Sequence, residues 1–315
     1  MTTPSNAMPE ALHAQRIAPA ALPARRLLYW SIRRELWENR SIYIAPLAAA
    51  GVGMLGFLVG LMGVSHSKHA AAASPDAAHQ LIQLAMPYSH AAWVLLLTGF
   101  IVGVLYSLDA LHGERRDRSI LFWKSLPVSD LTTVLAKLSI PLVVLPVLVF
   151  GVTVILQLCM LVVNTAELSM KGGSDATMLG QLPFFQMEAV LLYGVIVLAL
   201  WHAPLYAWLL LVSGWARRTT FLWAVLPPLV LAAFERIAFG TSHFGSWLGD
   251  RLFGFAAEAF SFHAPDGSVI DPHLVPLAQI TPGKFLGSPG LWVGLVFAAA
   301  FLAAAVRLRR YREPI

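Results

Sequence analysis

Long apolar runs alternate with short charged or polar connectors along this chain of 315 residues. A helix needs about 20 mostly apolar residues to cross a hydrocarbon layer of about 30 Å. Six segments meet or approach that length, at 42–64, 91–111, 138–163, 189–214, 220–239 and 291–306. The last holds 16 apolar or glycine residues and reaches spanning length when 285–290, or Arg307 and Leu308, add part of a turn. The pattern predicts an all-α polytopic membrane protein with a six-span domain over 42–315.

The cations divide unevenly between the connectors. Of 22 Lys and Arg residues, 17 lie before the first span, between spans two and three, between four and five, or after the sixth. Short loops rich in Lys and Arg stay on the cytoplasmic side, so both termini are expected there. Residues 1–23, rich in Ala and Pro and without an apolar core after a basic start, read as a disordered tail rather than a cleaved signal.

Three segments outside the spans carry a pattern of their own. Residues 24–41 place Leu28, Tyr29, Ile32 and Leu36 at helical spacing among five arginines, with Trp30 and Trp37 alongside. This reads as an amphipathic helix in the headgroup plane, or as a basic flank that only sets topology. The loop 112–137 runs from a charged cluster into an apolar block at 120–123, then Leu126 and Pro127, after which Ser129 can cap a second short helix. An apolar block on a cytoplasmic loop needs a cover, which a partner protein or the bilayer surface could supply. The external segment 240–290 contains an apolar stretch at 247–262 broken by Asp250, Arg251 and Glu258. An interfacial or partly re-entrant helix pair is expected there, with a soluble loop as the alternative.

Composition narrows the chemistry. The chain is 57% apolar and 12% charged, against about 25% charged in a typical soluble domain, which excludes a soluble enzyme and a disordered chain. The net charge of +5 is accounted for by topology, and no nucleic-acid partner is expected. Cys159 is the single cysteine, so neither a disulfide framework nor a Cys-based zinc site can form. A phosphate loop needs Gly-x-x-x-x-Gly-Lys-Ser/Thr, and the only lysine preceded by Gly is Lys284, which Phe285 follows. No nucleotide site, cofactor or catalytic centre is therefore expected on this chain. His66-x-x-His69 lacks a nearby cysteine or carboxylate at ligand spacing, so no metal site is expected either.

Polar groups inside spans are costly enough to single out. Gln157 offers an interhelical hydrogen bond from a span bent by Pro141 and Pro146. His202 reads either as a substrate or proton contact or as a hydrogen-bonded side chain inside the bundle. The second is preferred, because Pro204 leaves a free carbonyl nearby. Glu235 and Arg236 fall near the external end of the fifth span and are expected to snorkel, with Glu235 a possible pathway residue.

The succession of features resembles the membrane subunit of a type-2 ABC transporter, the exporter permease family. The closest local likeness runs through Glu114-Arg115-Arg116-Asp117-Arg118-Ser119, then Ser125-Leu126-Pro127-Val128-Ser129 and Lys137, with Arg118-Ser119 where many members carry Gly-Thr. The resemblance implies that this loop is a coupling helix docking on a cytoplasmic ABC ATPase, present in two copies, which would hold the ATP and Mg. Glu114, Arg115, Arg118, Ile120, Trp123, Leu126 and Pro127 are the implied contacts. It further implies a second permease subunit, identical or different, with the pathway at their interface, lipid around both, and a bacterial inner membrane as location. The expected function is ATP-driven export of an amphipathic, lipid-like, drug or antimicrobial-peptide substrate. The alternatives are a scaffold that recruits a cytoplasmic partner through the same loop, and an intramembrane enzyme using His202 and Glu235.

Overall fold

The apolar runs fold as helices. The computed structural model describes residues 24–63, 77–117, 119, 128–171, 182–261 and 277–311. Among them the chain is helical, apart from connectors and one isolated β-bridge between Phe260 and Ile280. Six helices are long and apolar enough to cross a bilayer, as the run lengths require, and the chain is a multi-pass membrane protein. The disordered tail expected at 1–23 and the His66 and His69 pair lie outside the described residues, as do Arg118, Ile120, Trp123, Leu126 and Pro127.

Helix α1 (Ala24–Glu38) precedes span 1, α2 (Ser41–Gly63). Span 2, α3 (Ala77–Asp109), starts well before the expected 91 because helix continues through what the sequence suggested was a polar connector. Packing decides this, with Ala85 and Tyr88 buried among neighbouring spans. A short helix, α4 (His112–Arg116), follows.

The second of the two loop helices, α5 (Asp130–Ser139), opens on Ser129, whose Oγ accepts from the Thr132 N–H at 3.1 Å. It is not a separate element. A π-helical turn at Ile140–Val144 joins it to α6 (Leu145–Lys171), making one long third span. Pro141 sits in that turn, where its missing N–H is accommodated by the wider hydrogen-bond spacing.

Span 4, α7 (Phe184–Trp215), and span 6, α12 (Pro289–Tyr311), make the most extensive helix pair. Ala203, Ala207 and Ala298 lie in their contact and are nearly or wholly buried, since small side chains let membrane helices approach closely. Span 5, α8 (Thr220–Phe239), matches its expected bounds and, like α2, leaves most side chains uncovered. Spans 2, 3 and 4 enclose the core, through Leu95, Tyr106, Leu145, Val149, Leu210 and others.

Between spans 5 and 6 the chain forms α9 (His243–Phe253), α10 (Phe255–Ala259) and α11 (Pro282–Gly287). Both α1 and the last turns of α12 pack against α5, so the two described ends of the chain lie at one end of the bundle. We call it the α1 end, and the end carrying α9 to α11 the far end.

Candidate functional site

At the α1 end, charged side chains converge from four separate elements. Glu35 of α1 is 1% exposed, Lys137 of α5 2%, Glu114 of α4 7% and Arg309 of α12 5%. Lys137 Nζ lies 2.9 Å from Glu35 Oε1 and 3.2 Å from Glu114 Oε1. Arg34 reaches the same two carboxylates at 2.6 and 3.1 Å. Tyr106 of α3 donates its hydroxyl to Glu35 Oε2 at 2.8 Å. Arg309 holds Glu114 Oε2 at 3.3 Å with Nη2 and Asp130 Oδ1 at 3.4 Å with Nε. Three carboxylates thus face three cations, which is how buried charge is tolerated. Burial alone would raise the Glu35 carboxyl, but Lys137 and Arg34 overcome it and hold it below the usual carboxylate range.

Local sequence explains how each group reaches the cluster. Leu28, Ile32 and Glu35 stand at i, i+4 and i+7 on one face of α1, so the carboxylate occupies an apolar-stripe position. Tyr29, expected on that stripe, is 58% exposed with Trp30 and Trp37, and the Arg33 guanidinium lies over both indole rings at 5.2 and 4.7 Å. The outer face of α1 is therefore an aromatic and basic surface of the kind that sits among lipid headgroups.

Glu114 and Arg115, expected on a surface that meets a partner, are instead buried within the chain. Arg115 Nη1 donates to the Gly214 and Ala216 carbonyls at 2.8 and 3.2 Å, capping the C-terminal end of α7 where the helix dipole favours a cation. Ser213 Oγ accepts from the Leu111 and His112 N–H groups, each at 2.9 Å. The root of the loop is thereby fastened to spans 2, 3, 4 and 6 and to α1. Arg309 also clamps its two legs together, since Glu114 precedes the undescribed segment and Asp130 follows it. Sequence reasoning singled out Glu114 and Lys137 but missed Glu35 and Arg309 as their partners, and Tyr106 and Asp130 as the partners of those in turn.

At the far end, the last turn of α9 meets α7. The last-turn carbonyls of a helix have no partner within it. Here the Arg251 carbonyl accepts from Trp201 Nε1 at 3.1 Å, and the Leu252 carbonyl lies 3.2 Å from His202 Nε2. The His202 Nδ1 contact is with the Leu198 carbonyl at 2.9 Å, not with the carbonyl freed by Pro204. A neutral imidazole has one N–H, so one of these carbonyls receives a hydrogen bond and the other a close polar contact. The Arg251 guanidinium lies 4.6 Å from the Trp201 ring and donates to the Gly290 carbonyl at 2.6 Å. Glu235 meets the start of α9. Its carboxylate accepts from Thr241 Oγ1 and from the His243 and Phe244 N–H groups, all at 2.8 Å, and so caps α9.

Between spans 2, 3 and 4 and α9 lies an apolar cavity of about 450 Å³, lined by Phe100, Pro146, Val149, His202, Tyr206 and Phe253 among others. A smaller lobe of about 140 Å³, which contains Gln157, Ser89 and Met187, shares Trp93, Leu96, Leu198 and Phe255 with it. Gln157 Nε2 donates to the Tyr88 carbonyl of span 2 at 3.0 Å, the interhelical bond its sequence position suggested. Among the described residues no group of three or more His, Cys, Asp or Glu side chains could hold a metal ion.

In comparisons with known proteins, no family model, no curated protein and no solved structure matches the chain.

Proposed function

We propose that this chain is the membrane subunit of an ATP-driven exporter of the type-2 ABC kind, with the α1 end in the bacterial cytoplasm. Its energy would come from a separate ABC ATPase bound at the 112–137 loop, two copies serving two permease subunits. The substrate would be amphipathic or lipid-like. The observation that carries the reading is the double clamp of Arg309 on Glu114 and Asp130. A loop that converts a partner's motion into rearrangement of spans needs a root that cannot yield independently of them. Here displacing the loop displaces the Glu114 carboxylate, on which α1, α5 and α12 all converge. Two packings of such a root would give the discrete states that switching requires.

With Glu114 and Arg115 turned inward, contact with the ATPase falls to the segment between Asp117 and Asp130, and to Trp123 in particular. The test is to express the chain with its neighbouring genes, tag this subunit alone, and purify it in mild detergent. The reading expects a P-loop ATPase at a one-to-one ratio whose turnover rises with an amphipathic ligand. A well-folded chain that purifies alone overturns it. A bound partner without a phosphate loop moves the scaffold reading ahead.

A further inference from the structure

The two faces of α1 treat their arginines differently. Arg34, beside the buried Glu35, reaches the carboxylates of Glu35, Glu38 and Glu114. On the outward face Arg26, Trp30, Arg33 and Trp37 recur at i, i+4, i+7 and i+11, a spacing that aligns them along one side of the helix. Glu35, two residues on from Arg33, projects about 200° away from it. All four outward residues are exposed, as is Arg40 in the turn that follows. Among the described residues no carboxylate pairs with Arg26, Arg33 or Arg40. The Arg33 guanidinium lies 5.2 and 4.7 Å from the Trp30 and Trp37 rings. Cation–π attraction positions a charge without neutralising it, so the fork of N–H donors on Arg33 still lacks an anion.

The start of span 1 fixes the depth of this face. The Asn39 N–H donates to the Glu35 carbonyl at 2.9 Å and the Ile42 N–H to the Asn39 carbonyl at 3.1 Å, so the turn from α1 into α2 is compact. Trp37 stands four residues before Ser41, the first residue of α2. Four residues of helical chain rise about 6 Å, and the headgroup layer on each side of the hydrocarbon core is about 5–8 Å thick. Water would suit the arginines but not the indoles, and lipid tails the reverse. Headgroups suit both.

We propose that the outward face of α1 binds the headgroups of anionic phospholipids, with phosphate received by Arg33 beside the two indoles and by Arg26 and Arg40 at either end. A zwitterionic head brings its own ammonium and leaves the three charges unbalanced. A phosphodiester without one supplies the missing charge to a fork that can take it through two N–H bonds. An acidic protein segment would also neutralise the arginines, but the depth favours lipid, which is already there. The proposal goes beyond the export reading and does not rest on it, since it requires only that α2 crosses the bilayer. Bound lipid would hold α1 from outside while Glu35 holds it from within.

The full chain, delipidated in mild non-ionic detergent, would be titrated with dioleoyl phosphatidylglycerol and separately with dioleoyl phosphatidylcholine, and bound lipids counted by native mass spectrometry. The first phosphatidylglycerol should bind about tenfold or more tighter than the first phosphatidylcholine, because each arginine near an anionic head is worth about fivefold. Arg33→Gln should therefore weaken phosphatidylglycerol about fivefold and leave phosphatidylcholine unchanged. The pair Arg26→Gln and Arg40→Gln, which spares the stacked residue, should weaken it at least as much. Arg217→Gln, which removes an exposed cation at the same end but off α1, should alter neither affinity. Equal affinity for the two lipids overturns the proposal, as does an undiminished affinity in the α1 variants. A loss in Arg217→Gln equal to that in Arg33→Gln also overturns it, by showing a diffuse field in place of a site. Displacement of the lipid by an equal concentration of hexaglutamate overturns it in favour of an acidic protein partner.

Discussion

Lys137 Nζ lies 2.9 Å from Glu35 Oε1, joining α5 to α1 across 102 positions of sequence with both side chains almost wholly buried. Each charge gives up several kcal/mol of hydration on burial, so the pair is poor evidence for stability by itself. Its effect is on register. If α1 slides or rotates against α5, it leaves two opposite charges unpaired in a space without water. The cluster therefore defines one seating of the amphipathic helix, to which Glu114 and Arg309 add the loop and the last span.

Removing two members together should cost less than the sum of removing each alone. Glu114→Gln leaves Lys137 and Arg309 short of a carboxylate, and the expected loss is about 3–5 kcal/mol. Arg309→Gln alone should cost a similar amount. In the double variant the second change removes a charge already stranded, so the losses should fall short of additive by about 1 kcal/mol or more. Denaturant unfolding of the four proteins in micelles measures this. Strictly additive losses would mean that the two side chains do not work as one unit.

The Glu35 carboxyl makes part of this stability depend on pH. Its folded-state value lies below the ordinary one because Lys137 and Arg34 outweigh the effect of burial. A group shifted down in this way contributes fully above its unfolded value, about 4.3 for a glutamate, and the contribution fades as pH falls through the folded value. The difference in melting temperature between the wild type and Glu35→Gln should be constant from neutral pH to about 5 and narrow below about 4. A difference that instead narrows on the alkaline side would assign the stability to another group.

The six spans were legible because run length and composition decide whether a helix can cross a bilayer, and span 5 even ends where its apolar run does. The start of span 2 was not legible, because Pro87 and the polar residues before it resemble a connector until tertiary packing buries Tyr88. The loop shows the limit most clearly. A charged run such as Glu114-Arg115-Arg116 reads the same whether it faces water or a buried counter-charge. Its partners stand far away, Arg34 before it and Arg309 after it. One signal was present in Glu35, a carboxylate at the i+7 position of a stripe that begins at Leu28. It marked a helix face turned toward a cation rather than toward lipid.

At the far end, Gly294 of α12 is the space that Arg251 occupies. A Cβ there would overlap the guanidinium directly, so Gly294→Ala must expel Arg251 from its place over Trp201 or push α9 off α7. The expected loss is about 1–3 kcal/mol, the usual range for forcing atoms into a filled site. In an Arg251→Ala background the obstacle is gone, and the same substitution should be close to neutral. Melting curves of the single and double variants test this. A glycine substitution equally harmful in both backgrounds would show that Gly294 is needed for helix contact and not for the arginine.

The last prediction separates holding a partner from being driven by it. Trp123→Asp puts a charge into the apolar block of the loop and should release the ATPase from the purified complex. Arg309→Lys should behave differently. The guanidinium directs Nη2 to Glu114 and Nε to Asp130 from one rigid planar fork, whereas a lysine ammonium at this position is a compact point charge without the fixed fork that spans these two carboxylates. With the clamp halved, the two legs of the loop can part without moving α12. The ATPase should still co-purify at full ratio, while stimulation of its turnover by an amphipathic ligand falls severalfold. Co-purification and stimulation lost together would reduce Arg309 to a prop for the docking surface. Both retained would remove the clamp from the path by which force reaches the spans.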